Sequence, residues 1–567
     1  MDASQPLRVP VGRDARRWST FRGEKTLVVA ARTVTSTARV LECLPALLRG
    51  DSRVTVVFAH DPTSAFNGGV LDLLHDSGCR VMSWGDLASA TPDLILSASE
   101  NIQVPQGDCP VLVLPHGIGF QKQVPDSRGP HSRLSGMVSD QLLESGRAWL
   151  AISHPNQEEQ LLATHPKAAG RTLLVGDPCM DELLVSADRA GAYKAALGIP
   201  GDQSLVVLSS TWGPTSLIGQ DPALPAHVLA ALPYDEFRVA AIIHPNVWFG
   251  HGSWQIRTLL ADALGAGLIL IPPVHTWRAA LVAADAIVGD HGSVTLYGAA
   301  LGKPVLLAAF GSDAVPGTAV DSLSRAAPRL DPLGDMHQQI TSAMGEHQPN
   351  RYRAVSTRAF AQPGKALPRL RSALYGLLKL PEPVTTGPPL QLMLPQPEQT
   401  GSAVSSWTVT TTASVHDDRC VLTVWRRPAA VSAGEGESTG TFIHLACDEQ
   451  ERDPRLIESA SVMIHRCAAS TTPEALRWIR DTFGRLPGCR LAAVAMSGGG
   501  FLVGLRDGRV VEATTTGPTA DPGVLAAVVY TLLRTGAPLD DGVVTLRVGE
   551  VREEDVAFRL RPCPPAV

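Results

Sequence analysis

The segment of residues 283–310 combines a polar turn with side chains that can bind an anion or move a proton. An apolar run ends at Val288, and the turn 289–293 (Gly-Asp-His-Gly-Ser) is followed by a helical stretch and a second apolar run. In a strand–turn–helix–strand unit, such a turn lies at the carboxyl edge of a parallel sheet, where ligands bind. Free N–H groups at the helix start favour a phosphate, and Asp290 and His291 can hold a ribose or transfer a proton. The segment therefore predicts a phosphate- or nucleotide-binding turn.

Three further polar turns follow predicted strands. They are His116 with Gly117, Ser210 with Thr211, and His244 with Pro245. A single histidine after a strand is more often a structural turn residue than a catalyst, but four such turns in order are harder to explain by structure alone. One histidine can take a proton from a hydroxyl, and a second, when charged, can neutralise a leaving phosphate. These roles fit phosphoryl or glycosyl transfer from an activated nucleotide.

The elements around these turns indicate an α/β fold. Short β-branched runs alternate with helical stretches from residue 25 and again from about residue 201, which is typical of doubly wound parallel sheets. Two such blocks in succession predict a cleft between two domains. The predicted units are a disordered leader (1–24), an N-terminal Rossmann-like domain (25–185), a C-terminal Rossmann-like nucleotide-donor domain (186–380), a Pro-rich linker (381–401) and a smaller α+β accessory domain (402–567).

Composition narrows the class of protein. The net charge of −6 and the pI of about 6.2 argue against a general nucleic-acid-binding surface. No apolar run reaches the roughly 18 residues of a membrane-spanning helix, and the nine cysteines form no CxxC pair, which is typical of a reduced, cytoplasmic protein. The spacing of the histidines at 244, 251, 275 and 291 fits no metal-ligand pattern, so we expect neither a metal nor a cofactor. The basic leader leaves open a peripheral contact with the inner face of a membrane.

Taken together, these turns resemble the CDP-glycerol glycerophosphotransferase family, the teichoic-acid polymerases and primases of cell-wall synthesis. That family has the GT-B arrangement of two Rossmann-like domains. The resemblance spans about residues 25–380, and similar segments occur in UDP-GlcNAc 2-epimerases. The segments that carry it are 115–122, 209–212, 243–245, 284–293 and 302–305.

The resemblance implies roles for individual residues. Two histidines would do the chemistry: His116 as the base that activates an acceptor hydroxyl, and His244 in contact with the donor diphosphate. The donor's phosphate or ribose would be held by Ser210, Thr211, Asp290, His291, Gly292 and Ser293. Further candidates are Gly117, Lys122 and Lys303.

The chain departs from the family at Ile118, where the family has Thr, and at His291 with Gly292, where it has Tyr-Ser. We predict a metal-independent GT-B-type transferase that moves a glycerophosphate or glycosyl group from CDP-glycerol or a nucleotide-sugar to a hydroxyl acceptor. Two alternatives stay open. One is a nucleotide-binding scaffold with reduced catalysis, whose residues 402–567 bind a protein partner, and the other is an enzyme resembling the UDP-sugar 2-epimerases.

Overall fold

The computed structural model describes most of the chain. The described residues are 20–561 except 22, 127–130, 385–389, 398–402, 417–418, 433–439 and 518–520. Most of the predicted leader and part of the predicted linker therefore lie outside them. Within the described ranges, every helix falls short of the length and apolar character that a membrane span requires.

The first domain is built on a parallel sheet. Its strands are β1 (Lys25–Ala31), β2 (Val54–His60), β3 (Val81–Ser83), β4 (Leu94–Ser97), β5 (Val111–Val113), β6 (Gln123–Pro125), β7 (Ser132–Leu134), β8 (Ala148–Ile152) and β9 (Thr172–Leu174). Its helices are α1 (Val34–Leu47), α2 (Val70–Asp76), α3 (Leu87–Ala90), α4 (Asp140–Glu144), α5 (Pro155–Thr164) and α6 (Pro178–Val185), with 3-10 turns at Trp84–Asp86, Pro166–Ala168 and Ala187–Arg189.

The strand order of this sheet is β3-β2-β1-β4-β5-β8-β9, and the small hairpin β6–β7 lies apart from it. The order reverses between β1 and β4, which is the topological switch point where open parallel sheets bind ligands. The inner strands are apolar on both faces because helices cover both sides of the sheet, as in the fully buried run Leu27–Ala31.

The second domain repeats this design. Its strands are β10 (Ser204–Ser210), β11 (Phe237–Ile243), β12 (Ile269–Ile271), β13 (Ala286–Gly289) and β14 (Val305–Leu307), in the order β12-β11-β10-β13-β14. Its helices are α7 (Ala190–Ala196), α8 (Leu217–Gln220), α9 (Leu224–Ala231), α10 (Pro245–His251), α11 (Ser253–Leu259), α12 (Ala261–Gly265), α13 (Thr276–Ala283), α14 (Ser293–Ala300), α15 (Ala319–Ala326), α16 (Met336–Gly345) and α17 (Arg353–Ala359). The predicted parallel, doubly wound α/β architecture is confirmed for both domains.

Helix α18 (Ala366–Leu378) follows the second domain but packs on the first. Leu370, Leu374 and Leu378 are buried in the core that contains β1 and α1. The chain therefore crosses between the domains a second time, and this crossing ties the two sides of the cleft together.

Beyond the linker the chain forms a barrel, which corrects the predicted α+β domain. In the described part of residues 403–561, nine strands close in the order β15-β16-β22-β23-β21-β20-β19-β18-β17. The strands are β15 (Ser406–His416), β16 (Arg419–Pro428), β17 (Thr441–Asp448), β18 (Val462–Ala469), β19 (Leu491–Met496), β20 (Phe501–Leu505), β21 (Val510–Thr515), β22 (Gly542–Val548) and β23 (Arg552–Arg561). The helices are α19 (Pro454–Ser459), α20 (Thr472–Arg485) and α21 (Pro522–Thr535).

The barrel encloses helix α21. Every residue from Pro522 to Leu532 is buried, and the helix packs against the inward residues of most barrel strands. A helix that is apolar on all sides must be buried on all sides, and a barrel provides such a site. The closure of the sheet around this helix is the feature that the α+β prediction missed.

The barrel docks on the second domain through a buried ion pair. The Arg426 guanidinium donates from Nε and Nη2 to the two Asp235 oxygens at 2.9 and 2.6 Å, and from Nη1 to Asp521 at 2.6 Å. Tyr234 also donates its backbone N–H to the Arg426 carbonyl. These contacts join the barrel to the second domain, and removing either partner would leave an uncompensated buried charge at this interface.

Candidate active site

The carboxyl edges of the two sheets face each other across a cleft with a cavity of about 300 Å³. The strand register brings the predicted turns of the second domain together. In β10, Ser210 pairs with Ile243 of β11, the residue before His244, and Ser209 pairs with Gly289 of β13, the residue before Asp290. Turns that are up to 80 residues apart in the sequence therefore lie side by side.

His116 lies on the first-domain wall, in the loop after β5. Its Nδ1 is 3.1 Å from the carbonyl oxygen of Ala98. Because a carbonyl can only accept a hydrogen bond, Nδ1 carries the proton, and Nε2 of the neutral ring keeps a free lone pair. His116 lines the cleft, so the ring is in the tautomer that a general base requires.

A carboxylate lies close to His116. Glu100 is buried beside the cleft and accepts a hydrogen bond from Arg133 at 2.7 Å. Burial alone would raise its pKa, but a protonated His116 and the charge of Arg133 lower the pKa of Glu100 below its ordinary value. An ionised Glu100 favours the imidazolium that His116 would become after taking a proton.

His244 faces the cleft from the second domain and has the opposite tautomer. Its Nδ1 accepts the backbone N–H of Asn246 at 3.0 Å and so caps the start of α10. The proton must therefore be on Nε2, which is a donor. Burial lowers the pKa of His244 to about 3, and a protonated His116 and the charge of Lys122 act in the same direction. The ring is neutral in the free protein and can donate one hydrogen bond, and a bound anion would raise its pKa again.

The Asp290 carboxylate connects two of the turns through hydrogen bonds. Its Oδ2 accepts the N–H groups of Thr211 and Leu217 at 2.8 and 2.9 Å, and its Oδ1 accepts the N–H of Gly292 at 2.9 Å. The residue is completely buried. Asp290 therefore positions two turns, and the surface beside it is provided by Ser210 and Thr211, which do line the cleft.

Helix α14 begins at the cleft with Gly292 as its N-cap residue. Ser293 Oγ accepts the backbone N–H of Ile118 across the domain boundary at 3.1 Å. A Cβ atom on Gly117 would lie 2.7 Å from this oxygen, so a larger residue there would require the Ser293 side chain to move. The N-terminus of α14 thus lies next to the His116 loop, with its dipole directed at the cleft.

His291 is joined to Lys122 through Asp313, which the sequence analysis did not single out. The buried His291 accepts from Gly311 N–H at Nδ1 and donates from Nε2 to Asp313. Lys122 Nζ lies 3.0 Å from Asp313 Oδ2 and 3.3 Å from the Trp212 carbonyl oxygen. Burial alone would raise the pKa of Asp313, but His291 and Lys122 lower it. The carboxylate therefore keeps the Lys122 charge at the cleft.

Lys303 lies away from the other predicted residues. It comes before β14, at the opposite edge of the sheet, and Nζ donates to the Val282 carbonyl at 2.9 Å. Burial lowers the pKa of Lys303. A lysine that precedes a parallel strand cannot reach the carboxyl edge, so Lys303 is separate from the site.

The first-domain wall also contains residues that the sequence analysis missed. Arg32, Thr35 and Arg39 line the cleft at the start of α1. The sequence signal that could have indicated them is a strand, β1, followed directly by an Arg-Thr pair, with a further arginine inside the next helix. Of the charged side chains on the cleft wall, four are cationic (Arg32, Arg39, Lys122, Arg133) and two are anionic (Glu42, Glu100). The chain as a whole has a net charge of −6, so this local excess of positive side chains favours an anionic ligand.

Among the residues that the structure describes, no group of three or more His, Cys, Asp or Glu side chains could hold a metal ion. The metal-independent reaction stays a prediction.

The structure therefore defines a protein with two α/β domains, each built on a parallel sheet, with a cleft between them and a barrel appended to the second domain. No protein-family model matches the chain, and no curated protein matches it significantly.

Several solved structures are similar to part of this chain. The wall teichoic acid polymerase TagF is 12% identical with a TM-score of 0.44, over 63% of this chain and 90% of that one. Staphylococcus aureus MnaA in complex with UDP is 13% identical with a TM-score of 0.40, over 64% of this chain and 100% of that one. A glycosyltransferase from Rickettsia africae is 11% identical with a TM-score of 0.36, over 63% of this chain and 99% of that one.

Proposed function

We propose that the chain is a transferase that moves a glycerophosphate or glycosyl group from a nucleotide-activated donor, CDP-glycerol or a nucleotide-sugar, to a hydroxyl acceptor. The observation that carries the proposal is the pair of complementary histidines in one cleft. His116 has a free lone pair on Nε2, and His244 has a proton on Nε2. Such a pair provides a base for the acceptor on one domain and a donor for the leaving phosphate on the other.

The first role belongs to His116. As the acceptor oxygen forms its bond to the transferred group, His116 Nε2 takes the hydroxyl proton. The imidazolium keeps its Nδ1–H bond to the Ala98 carbonyl, and Glu100 stabilises its charge. A positioned base of this kind contributes about 10²–10⁴-fold to the rate.

The second role belongs to the opposite wall. The bond between the transferred group and the nucleotide phosphate breaks, and the electron pair leaves with the phosphate. His244 Nε2–H, Lys122 and the N-terminal amides of α14 would receive this negative charge. Asp290 and the Asp313–His291 pair hold those groups in place through hydrogen bonds, and His291 also lines the cleft.

We also propose a cytoplasmic location, a peripheral contact with a membrane surface, and a protein partner that binds residues 402–567. The two alternatives make different predictions for a bound donor: the scaffold would bind it without turnover, and the epimerase would convert it without an acceptor. The experiment that tests the transferase also separates these alternatives.

The experiment compares turnover of CDP-glycerol and nucleotide-sugars, with and without hydroxyl acceptors, in the wild type and in two histidine variants. His116→Ala should lower turnover about 10²–10⁴-fold while donor binding is kept. His227→Ala, a control on the exposed surface, should leave the rate unchanged. Equal activity in wild type and His116→Ala contradicts the proposal. Donor binding without turnover supports the scaffold alternative, and conversion without any acceptor supports the epimerase alternative.

A further inference from the structure

The first-domain side of the cleft carries hydrogen-bond donors that the proposed transfer reaction leaves unused. Helix α1 begins there with a capping box, in which Thr33 Oγ1 accepts the Ser36 N–H and Ser36 Oγ accepts the Thr33 N–H. The box leaves the amides of Val34 and Thr35, at the first turn, without an acceptor inside the helix. Both residues line the cleft.

Side-chain donors next to this turn are also unsatisfied. The Thr35 Oγ1 atom is buried and makes no hydrogen bond within the described part of the chain. The Arg39 side chain is only 6% exposed, and its Nη1 likewise makes no hydrogen bond, although Glu42 Oε2 lies 3.4 Å away. The buried Nε of Arg32 also makes no hydrogen bond, although Asp61 Oδ2 lies 3.3 Å away. Buried donors without acceptors are costly, so a ligand that supplies acceptors here is stabilised.

These donors lie on the same side as the proposed base. Arg39 Nη2 is 3.4 Å from the carbonyl oxygen of His116, whereas His244 and the start of α14 belong to the opposite wall. A group bound at the first turn of α1 is therefore next to the residue that would activate the acceptor. The unsatisfied atoms are N–H and O–H donors, two of them on guanidinium groups, and oxyanions accept such bonds most strongly.

We propose that the first turn of α1, with Thr35, Arg39 and Arg32, is a subsite for an oxyanion, a phosphate or a carboxylate, carried by the hydroxyl acceptor. That the bound anion belongs to the acceptor rests on the proposed function, but anion binding at the subsite does not depend on turnover. The subsite implies that the acceptor is an acid and not a neutral alcohol or sugar.

The test uses two isosteric variants on the same helix. Thr35→Val and Thr37→Val each remove a buried hydroxyl that has no hydrogen-bond partner among the described residues, so both should fold. Thr37 is absent from the cleft wall and serves as the control. Binding of glycerol 3-phosphate, glycerate, glycerol and inorganic phosphate to the full-length protein is measured by calorimetry, with and without CMP or UMP.

We expect both acids to bind more tightly than glycerol, and to bind together with the nucleotide. Thr35→Val should weaken the two acids about tenfold or more, with Thr37→Val unchanged, because a bond to a charged group is lost. Tighter binding of glycerol 3-phosphate than of inorganic phosphate assigns the subsite to an anion carried by an organic acceptor, and the reverse order overturns that assignment.

Three outcomes overturn the inference: no binding of either acid, equal effects of the two variants, or competition with the nucleotide, which would make the subsite part of the donor site. These failures are separate from failure of the proposed function. If Thr35-dependent binding of the acids is seen but no nucleotide binds, the subsite stands and the transferase proposal fails.

Discussion

Asp290 gives the sharpest test of how the second domain builds its side of the cleft. Its carboxylate accepts three backbone N–H groups from two separate turns at 2.8 to 2.9 Å, and the residue is fully buried. In Asp290→Asn only one side-chain oxygen remains. Either Gly292 alone or Thr211 and Leu217 together then face an NH₂ group in place of an acceptor.

A buried donor left without an acceptor costs about 1–3 kcal/mol. With one or two amides affected, and part of the cost offset because a buried charge is removed, we expect a loss of about 2–4 kcal/mol. For a domain of this size each kcal/mol lowers Tm by about 2–4 °C, so the transition of the second domain should fall by roughly 5–15 °C. Nucleotide binding should weaken with it, because the Thr211 and Gly292 turns lose their common anchor.

The assay is calorimetric unfolding of the wild type, Asp290→Asn and the matched control Asp262→Asn. Asp262 lies on the exposed surface of α12, and its substitution should change stability by less than about 1 kcal/mol. A variant at position 290 as stable as the control would refute the claim that this carboxylate organises the turns.

Two further predictions concern the barrel. His444 is 4% exposed, both ring nitrogens lack hydrogen-bond partners among the described residues, and burial lowers its pKa to about 3. Below about pH 6.5 the His444 ring is protonated in the unfolded chain but not in the folded chain. The free energy of unfolding therefore has its full value above that pH and falls by about 1.4 kcal/mol per pH unit down to about pH 3. Between pH 7 and pH 5 the wild type should lose about 2 kcal/mol more than His444→Phe in urea titrations, and parallel pH profiles would contradict this. Separately, Asp235→Ala leaves Arg426 buried with Asp521 as its remaining carboxylate partner and should cost about 3 kcal/mol in denaturant titrations; a loss below about 1 kcal/mol would show that the pair does not hold the barrel on the second domain.

Much of the cleft could be predicted from the sequence because parallel strands place all their carboxyl ends at one edge. Residues at the carboxyl end of a strand or just beyond it, such as His116, Ser210 and His244, therefore had to lie at the same edge of their sheets. Lys303 was assigned to the cleft wrongly because it precedes its strand, β14. It therefore lies at the amino edge of the sheet, whereas the cleft lies at the carboxyl edge.

Other parts of the site depend on contacts that no local pattern encodes. Asp313 contacts Lys122 because the two domains pack against each other. Asp290, which was predicted to contact the donor, instead accepts hydrogen bonds from three backbone amides. In the barrel, the parallel pairing of β16 with β22 joins strands more than 100 residues apart. The strands β22 and β23 mix charged with apolar residues, and their place next to β16 follows from closure around α21.

The central claim is that the cleft binds a nucleotide-activated donor through His244. The most direct measurement is a thermal-shift series with CDP-glycerol, UDP-GlcNAc, GDP-mannose, CMP, UMP and GMP on the wild type and His244→Asn. Asparagine can still accept the Asn246 N–H and cap α10, but it removes the Nε2–H that faces the cleft. A ligand at one hundred times its Kd should stabilise the wild type by about 2.7 kcal/mol. We expect such a shift for at least one donor and its loss in His244→Asn. No shift with any of these compounds, or an equal shift in both proteins, would contradict it.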